Sequence, residues 1–320
     1  MIWILWHRRL GDLNQMLELA KALGLPYVVK KLVFGKPFYA PLANFTFDKT
    51  QSDSLLRPWP KLLMCAEALS SVVARRLKQR SGGQLKVICL ARPSGSTRDF
   101  DLVLSTVQYR LPAASNVVEI NLPLTAKNSQ ISPTKNRVAV LVGATSPPDQ
   151  LNDRAARQLV KDLKQLNQPL DIVTSPRTRS SLTDIFAAGF GEPHRVFKWH
   201  PGVENPYVQL IAEASSVIVT SDSVSMLADA LVAGKSVQVY ALPHRLSGVQ
   251  RLIESLYRKA PENWIFRSGV VEPATDRKLL VERLVMQGYV TWFGTSEKST
   301  KLFDRRVDIE TAVKAVQKLL

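Results

Sequence analysis

The chain has 320 residues, 45% of them apolar and 22% charged, and a formal net charge of +16. This is an ordinary globular composition, long enough for two cores, and it excludes a disordered or fibrous chain. No apolar run approaches the roughly 20 residues needed to span a bilayer. The 2 cysteines make no disulfide framework, and the 4 histidines show no metal-ligand spacing.

Residues 1–130 carry 18 Lys+Arg against 8 Asp+Glu, and residues 131–320 carry 25 against 19. The first part is therefore the more basic per residue, a field that attracts nucleotides, nucleic acid or an acidic membrane. No nucleic-acid module is recognisable, so no nucleic-acid partner is expected.

In chain order, Ile2–Trp6 is apolar and its basic residues Arg8 and Arg9 follow it, the reverse of a secretory signal. It reads as a first buried strand of a cytosolic protein. A helix is expected over Leu13–Leu23, then strands at Tyr27–Leu32, Leu62–Cys65, Lys86–Leu90, Leu102–Ser105 and Val117–Ile120, with a helix over Ala66–Gln79. Cys65 and Cys89 fall in strands and read as buried thiols. The polar stretch Pro123–Arg137 lacks apolar periodicity and reads as a linker. The pattern then restarts with strands at Val138–Val142, Leu170–Thr174, Val217–Thr220 and Ser236–Tyr240. Helices are expected over Leu151–Leu166, Thr178–Gly189, Pro206–Ser215, Val224–Val232 and Asp308–Leu320. Alternating strands and helices predict an α/β protein with parallel sheets covered on both faces. The expected domains are 1–125 and 135–307. The closing helix 308–320 would pack back on the first domain.

In such sheets ligands bind beyond the carboxyl ends of strands, where helix N-termini present N–H groups. Four loops have suitable composition. His7–Gln15 contains Arg9, Gly11, Asp12, Asn14 and Gln15; Asp12 reads either as the helix N-cap or as a general base. Gly143-Ala144-Thr145-Ser146 lets backbone and hydroxyls approach an anion, or is an ordinary capped turn. Thr174-Ser175-Pro176-Arg177-Thr178-Arg179 reads as a phosphate clamp or a capped helix with solvated arginines. Thr220-Ser221-Asp222-Ser223-Val224-Ser225-Met226 suits a pyrophosphate. Asp229 shares a helix face with Ser225, placed for a ribose or for solvent. One further segment, Lys30 to Tyr39, sets Lys30, Lys31 and Lys36 beside Phe34, Phe38 and Tyr39. It reads as a strand end whose aromatics enter the core, or as a patch docking on anionic lipid.

Asn205-Pro206-Tyr207 through the Asp222-Ser223-Val224-Ser225-Met226 run to Gly234-Lys235 resembles the signature of the mitochondrial fission Elm-type family. Gly11-Asp12-x-Asn14-Gln15 and Thr174-Ser175-Pro176-Arg177-Thr178 resemble its other motifs. The resemblance implies two Rossmann-like domains facing a cleft, the glycosyltransferase-B type. Plant members act as adaptors for dynamin-like proteins. Arg9-x-Gly11-Asp12 is also similar to the start of lipopolysaccharide heptosyltransferases, which implies Asp12 as catalytic base. Gly143–Ser146 is similar to their phosphate loop. Asp229 matches, in spacing, the ribose-binding Glu of the peptidoglycan N-acetylglucosaminyltransferase. The family usually has Glu where this chain has Asp229, and its first-domain His-Asp pair is absent from Ser105–Arg110.

The expected function is sugar transfer from a nucleotide-sugar donor. Gly143, Thr145, Ser146, Ser175, Arg177, Thr178, Ser221, Ser223 and Ser225 would hold the diphosphate, and Asp229 the ribose. Asp12 would be the base, with Arg9, Gly11, Asn14, Gln15 and Asn205 on the acceptor side or in the cleft. No cofactor or metal is expected. The acceptor would be lipid-linked or part of the envelope, reached by a cytoplasmic protein peripheral on the inner membrane face. The alternative is a non-catalytic adaptor of the plant type.

Overall fold

The computed structural model describes residues 1–7, 9–35, 47–126, 136–200, 202–203, 205–295, 299 and 301–320. They form two compact units, Met1–Ala126 with Val249–Ala274 and Arg305–Leu320, and Lys127–Gly248 with Thr275–Asp304.

The first unit is built on six parallel strands, β1 (Ile2–Trp6), β2 (Tyr27–Lys31), β3 (Leu62–Ala66), β4 (Lys86–Leu90), β5 (Leu102–Ser105) and β6 (Val117–Glu119). Their order is β2-β1-β3-β4-β5-β6. The central strand β3 is buried along its whole length, as a sheet covered on both faces requires. Helix α1 (Leu10–Leu23) ends at Gly24, whose φ of +66° closes the helix in the left-handed region that glycine adopts without strain. With α2 (Glu67–Arg80) it covers the sheet. Cys65 and Cys89 are buried free thiols on adjacent strands, and burial pushes the Cys89 thiol well up.

The second unit holds β7 (Val138–Val142), β8 (Leu170–Thr174), β9 (Arg195–Phe197), β10 (Ser216–Thr220), β11 (Val237–Tyr240) and β12 (Val290–Trp292), parallel and ordered β12-β11-β10-β7-β8-β9. Helices α3 (Asp153–Leu163), α4 (Ser180–Gly189), α5 (Tyr207–Glu213) and α6 (Val224–Val232) connect them. In α3 the Asn152 side chain accepts from the Ala155 N–H at 3.0 Å, and Ala155, Ala156, Leu159, Val160 and Leu163 form one buried stripe.

Four elements after Tyr240 follow from no sequence pattern read above: α7 (Gly248–Lys259), α8 (Trp264–Arg267), α9 (Arg277–Met286) and the strand β12. Val249–Ala274 was expected in the second domain, yet it clusters with the first unit. Arg110 explains why. Its guanidinium donates to both oxygens of Glu254 at 2.8 Å and to the Ala274 carbonyl at 2.6 Å. Arg92 adds a bond to the Pro273 carbonyl at 2.8 Å. The last helix, α10 (Arg305–Gln317), lies on α1, and its Ala312 and Val316 enter the same core as Met16 and Leu19.

Part of the expected linker, 127–135, lies outside the described residues, as do Lys36, Phe38 and Tyr39. Phe34 is half-buried, packs against the core of β3–β5 and meets the His7 ring edge-on at 4.7 Å. It therefore packs on the edge of that core. Lys30 stacks its ammonium over Trp3 at 4.8 Å.

Candidate functional site

The strand order of the second unit reverses direction between β7 and β10. Such a reversal opens a crevice at the carboxyl ends of the two strands, because the helices that follow them run to opposite faces. The loops Gly143–Ser146 and Ser221–Ser225 leave β7 and β10 there, and Ser175–Thr178 leaves the neighbouring β8.

Asp222 sits at the centre, 3% exposed. Its Oδ2 accepts from the Ala144 N–H at 2.7 Å, and its Oδ1 from the Thr220 hydroxyl at 2.7 Å. The Gly143 N–H donates to that same hydroxyl at 2.9 Å. Gly143 is required here, since a Cβ on it would stand 2.2 Å from Asp222 Oδ2. Burial pushes the Asp222 carboxyl up to about 6, against the pull of the Ala144 N–H, the Thr220 hydroxyl, Arg177 and Arg277.

Two guanidiniums converge on Ser146. Arg177 donates to its hydroxyl at 3.4 Å and Arg277 at 3.3 Å. Arg277 opens α9, where Asp276 caps the helix by accepting from Leu279 N–H at 3.0 Å. It also donates to the Ser146 carbonyl at 3.0 Å and to Asp149 Oδ2 at 3.0 Å. Asp149 in turn lies 3.3 Å from His244 Nδ1. Arg277 was not read from the sequence. The Thr275-Asp276 pair signals a helix start, but nothing local reveals a contact 131 residues away.

The other residues singled out have these places. Thr145 is exposed, and its hydroxyl donates to the Leu151 carbonyl at 2.8 Å. Ser175 and Thr178 share a bond at 2.9 Å, and Thr178 donates to the Gly143 carbonyl at 2.5 Å, tying the β8 loop to the β7 loop. Ser221 is buried and accepts from the Leu242 N–H at 3.0 Å. Ser223 precedes α6 and is buried, whereas Ser225 is exposed in its first turn. Asp229 accepts from the Tyr207 hydroxyl at 2.9 Å; burial first, then this carboxylate, pushes the phenol well up. Asn205 accepts from the Tyr207 N–H at 3.0 Å at the start of α5, in the second unit and not on the side of Asp12.

In the first unit the order reverses between β1 and β3. Helix α1 starts at Leu10 with Arg9 as its N-cap, so the reading of Asp12 as the cap is corrected: Asp12 is the third helical residue, half-buried. A carboxylate in the first turn still meets the positive end of the helix. Gly11 and Asn14 are exposed, and Gln15 is half-buried. Arg9 is ion-paired with Glu67, a residue that the sequence did not mark. Glu67 starts α2 directly after β3 with a φ of +58°, a strained backbone for a non-glycine residue. Among the described residues no group of three or more His, Cys, Asp or Glu is placed to hold a metal ion.

The model of the mitochondrial fission ELM1 family matches residues 11–279. No curated protein matches the chain. Among solved structures, UGT2 of Phytolacca americana, complexed with UDP-2-fluoroglucose and pterostilbene, is similar with a TM-score of 0.51 at 10% identity, covering 99% of this chain and 90% of that one. MurG of Acinetobacter baumannii gives a TM-score of 0.48 at 14% identity, over 99% and 94%. HepE of Anabaena, with UDP and glucose, gives 0.45 at 11%, over 89% and 98%. The fold is of the glycosyltransferase-B type.

Proposed function

The chain belongs to the mitochondrial fission ELM1 family, and from that premise we propose that its second unit holds a nucleotide-sugar donor by the diphosphate. The observation that carries this reading is the convergence of Arg177 and Arg277 on Ser146 at the switch point of β7 and β10. Guanidinium matches phosphate oxygens in a fork, and the first turn of α6 adds N–H groups and the exposed Ser225. Asp229, one turn further on, faces the ribose. Departure of the nucleoside diphosphate leaves negative charge, which the two arginines stabilise without help from a metal. In the first unit Asp12 takes the proton of an acceptor hydroxyl. A lipid-linked or envelope acceptor fits a protein with so basic a first unit.

A second reading, a binding protein that retains the fold and recruits a partner, is favoured by Asp222. Its carboxylate already takes the Ala144 N–H and the Thr220 hydroxyl, groups that a phosphate would otherwise use.

Calorimetry with nucleoside diphosphates and their sugars tests the donor site. Arg177→Ala and Arg277→Ala are each expected to weaken binding by about 1.5–3 kcal/mol, the worth of a charge-assisted hydrogen bond. A wild-type protein that binds none of these compounds would sink the reading. Asp12→Asn separates enzyme from binder. It should leave nucleotide affinity intact and cost roughly 0.5 kcal/mol of stability, since only the charge at the helix start is lost. Turnover of a nucleotide sugar should vanish; an Asp12→Asn protein as active as wild type excludes the base.

A further inference from the structure

Helix α7 turns its apolar side outward. Val249 is 69% exposed, Leu252 63% and Leu256 53%. At about 100° per residue these three positions fall within one narrow stripe. The helix's single acid, Glu254, is the residue it buries, held by Arg110 in the first unit. An ordinary surface helix does the reverse, burying the apolar stripe and exposing the charge. Just beyond the helix, Trp264 is 70% exposed.

The rim of this ridge is basic. Lys259 borders the stripe, while Arg251 and Arg258 lie about 100–120° round the helix from Leu252, on the far flank of its exposed face; all three are exposed. The nearest acid beyond the helix, Glu262, is paired with Arg267 at 3.6 Å. The field behind the ridge has the same sign. The first unit carries 25 Lys+Arg against 13 Asp+Glu, and the second only 18 against 14.

We propose that α7 and Trp264 form a docking surface for an anionic lipid bilayer, with Val249, Leu252, Leu256 and Trp264 entering the headgroup and acyl boundary and Lys259, with Arg251 on the flank, meeting lipid phosphates. A helix lying in the interface needs an apolar ridge with cations at its margin, and tryptophan is favoured at that depth. A protein partner of purely apolar character would leave the basic margin unmatched, and a second copy would set it against itself. No helix among the described residues is long and apolar enough to cross a membrane, so the contact is peripheral. The proposal stands apart from nucleotide binding, which concerns residues of the other unit.

Sedimentation with vesicles of phosphatidylcholine, alone or mixed with phosphatidylglycerol, tests it. Wild type should pellet with the anionic vesicles at low salt, and much less at high salt or with phosphatidylcholine alone. The triple variant Leu252→Ser, Leu256→Ser, Trp264→Ser should lower the partition at least about tenfold, because each side chain contributes through its buried apolar area. All three residues are exposed, so its unfolding transition and nucleotide affinity should match wild type. The pair Arg251→Glu and Lys259→Glu should weaken binding and flatten its salt dependence. Wild type left in the supernatant with anionic vesicles at low salt overturns the proposal, as does a triple variant that pellets like wild type. So does light scattering that shows a dimer which the triple variant dissociates while vesicles bind neither protein, since the ridge is then an interface between copies.

Discussion

At Asp222 a carboxylate is buried beside two guanidiniums, and the burial outweighs their attraction. Its carboxyl is raised from 3.8 to about 6. A raised acid binds its proton more tightly in the folded state, so between about pH 4 and 6 the native protein holds a proton that the unfolded chain has lost. Stability from this group is therefore full below pH 4 and falls as pH rises through 6. The shift corresponds to about 3 kcal/mol at most. Asp222→Asn removes the charge and with it this dependence. In urea titrations from pH 4 to 8 the stability of wild type relative to Asp222→Asn should decline with pH by up to that amount. A difference that stays constant with pH would refute the assignment. The subtraction matters, because Asp171 runs the other way. Burial tends to raise its carboxyl, but bonds from Arg195 and Arg137 hold it below the usual range.

Among the elements, α7 is fastened through Arg110, which pairs with Glu254 and stacks over the Tyr257 ring at 4.9 Å. Arg110 and Glu254 each keep only 11% of their side chains exposed, and the fork between them is bidentate. Arg110 first of all holds the Glu254 carboxyl below its ordinary value. Arg110→Ala would leave that carboxylate buried, with the exposed Arg258 at 3.4 Å as a weak substitute. An abandoned buried charge costs about 3 kcal/mol. The loss is expected in denaturant unfolding, and amide exchange in α7 should accelerate first. Arg110→Lys should recover little, since an ammonium cannot span both carboxylate oxygens. Unchanged exchange in α7 would show that the helix is held by its apolar contacts instead.

On the scale of the molecule, the first unit is assembled from three separated stretches of chain. The last of them is fastened by Asp308, 4% exposed, which accepts from the backbone and side chain of Asn121 at 2.9 Å and from Leu122 N–H at 3.1 Å. Beside it Ala312 and Val316 complete the core that contains Met16, Leu19 and Ala20. Deleting Arg305–Leu320 uncovers that face. The loss should be on the order of 5 kcal/mol from apolar area alone. Amides of β1 and β3 are then expected to lose protection while those of β7 and β10 keep it. Equal loss in both sheets would mean that the two units unfold as one.

Local patterns along the chain specify the alternation of strands and helices, the Val224–Val232 helix, and the loops at strand ends where Ser146, Arg177 and Asp222 lie. These are legible because periodicity and turn chemistry act over a few residues. The sequence also marked Asp12, although the cap proved to be Arg9. Contacts between distant positions come from the tertiary fold alone. Arg277 comes to Ser146 from 131 residues away, and Glu254 comes to Arg110 from 144. Arg9 finds Glu67 across the first sheet's switch point. No local pattern encodes such pairs, since each depends on strand order and on which helix end faces which strand end. For the same reason the Leu252 and Leu256 stripe of α7 looks in sequence like a core-facing helix. Only the fold shows that the core took the acid and left the leucines in solvent.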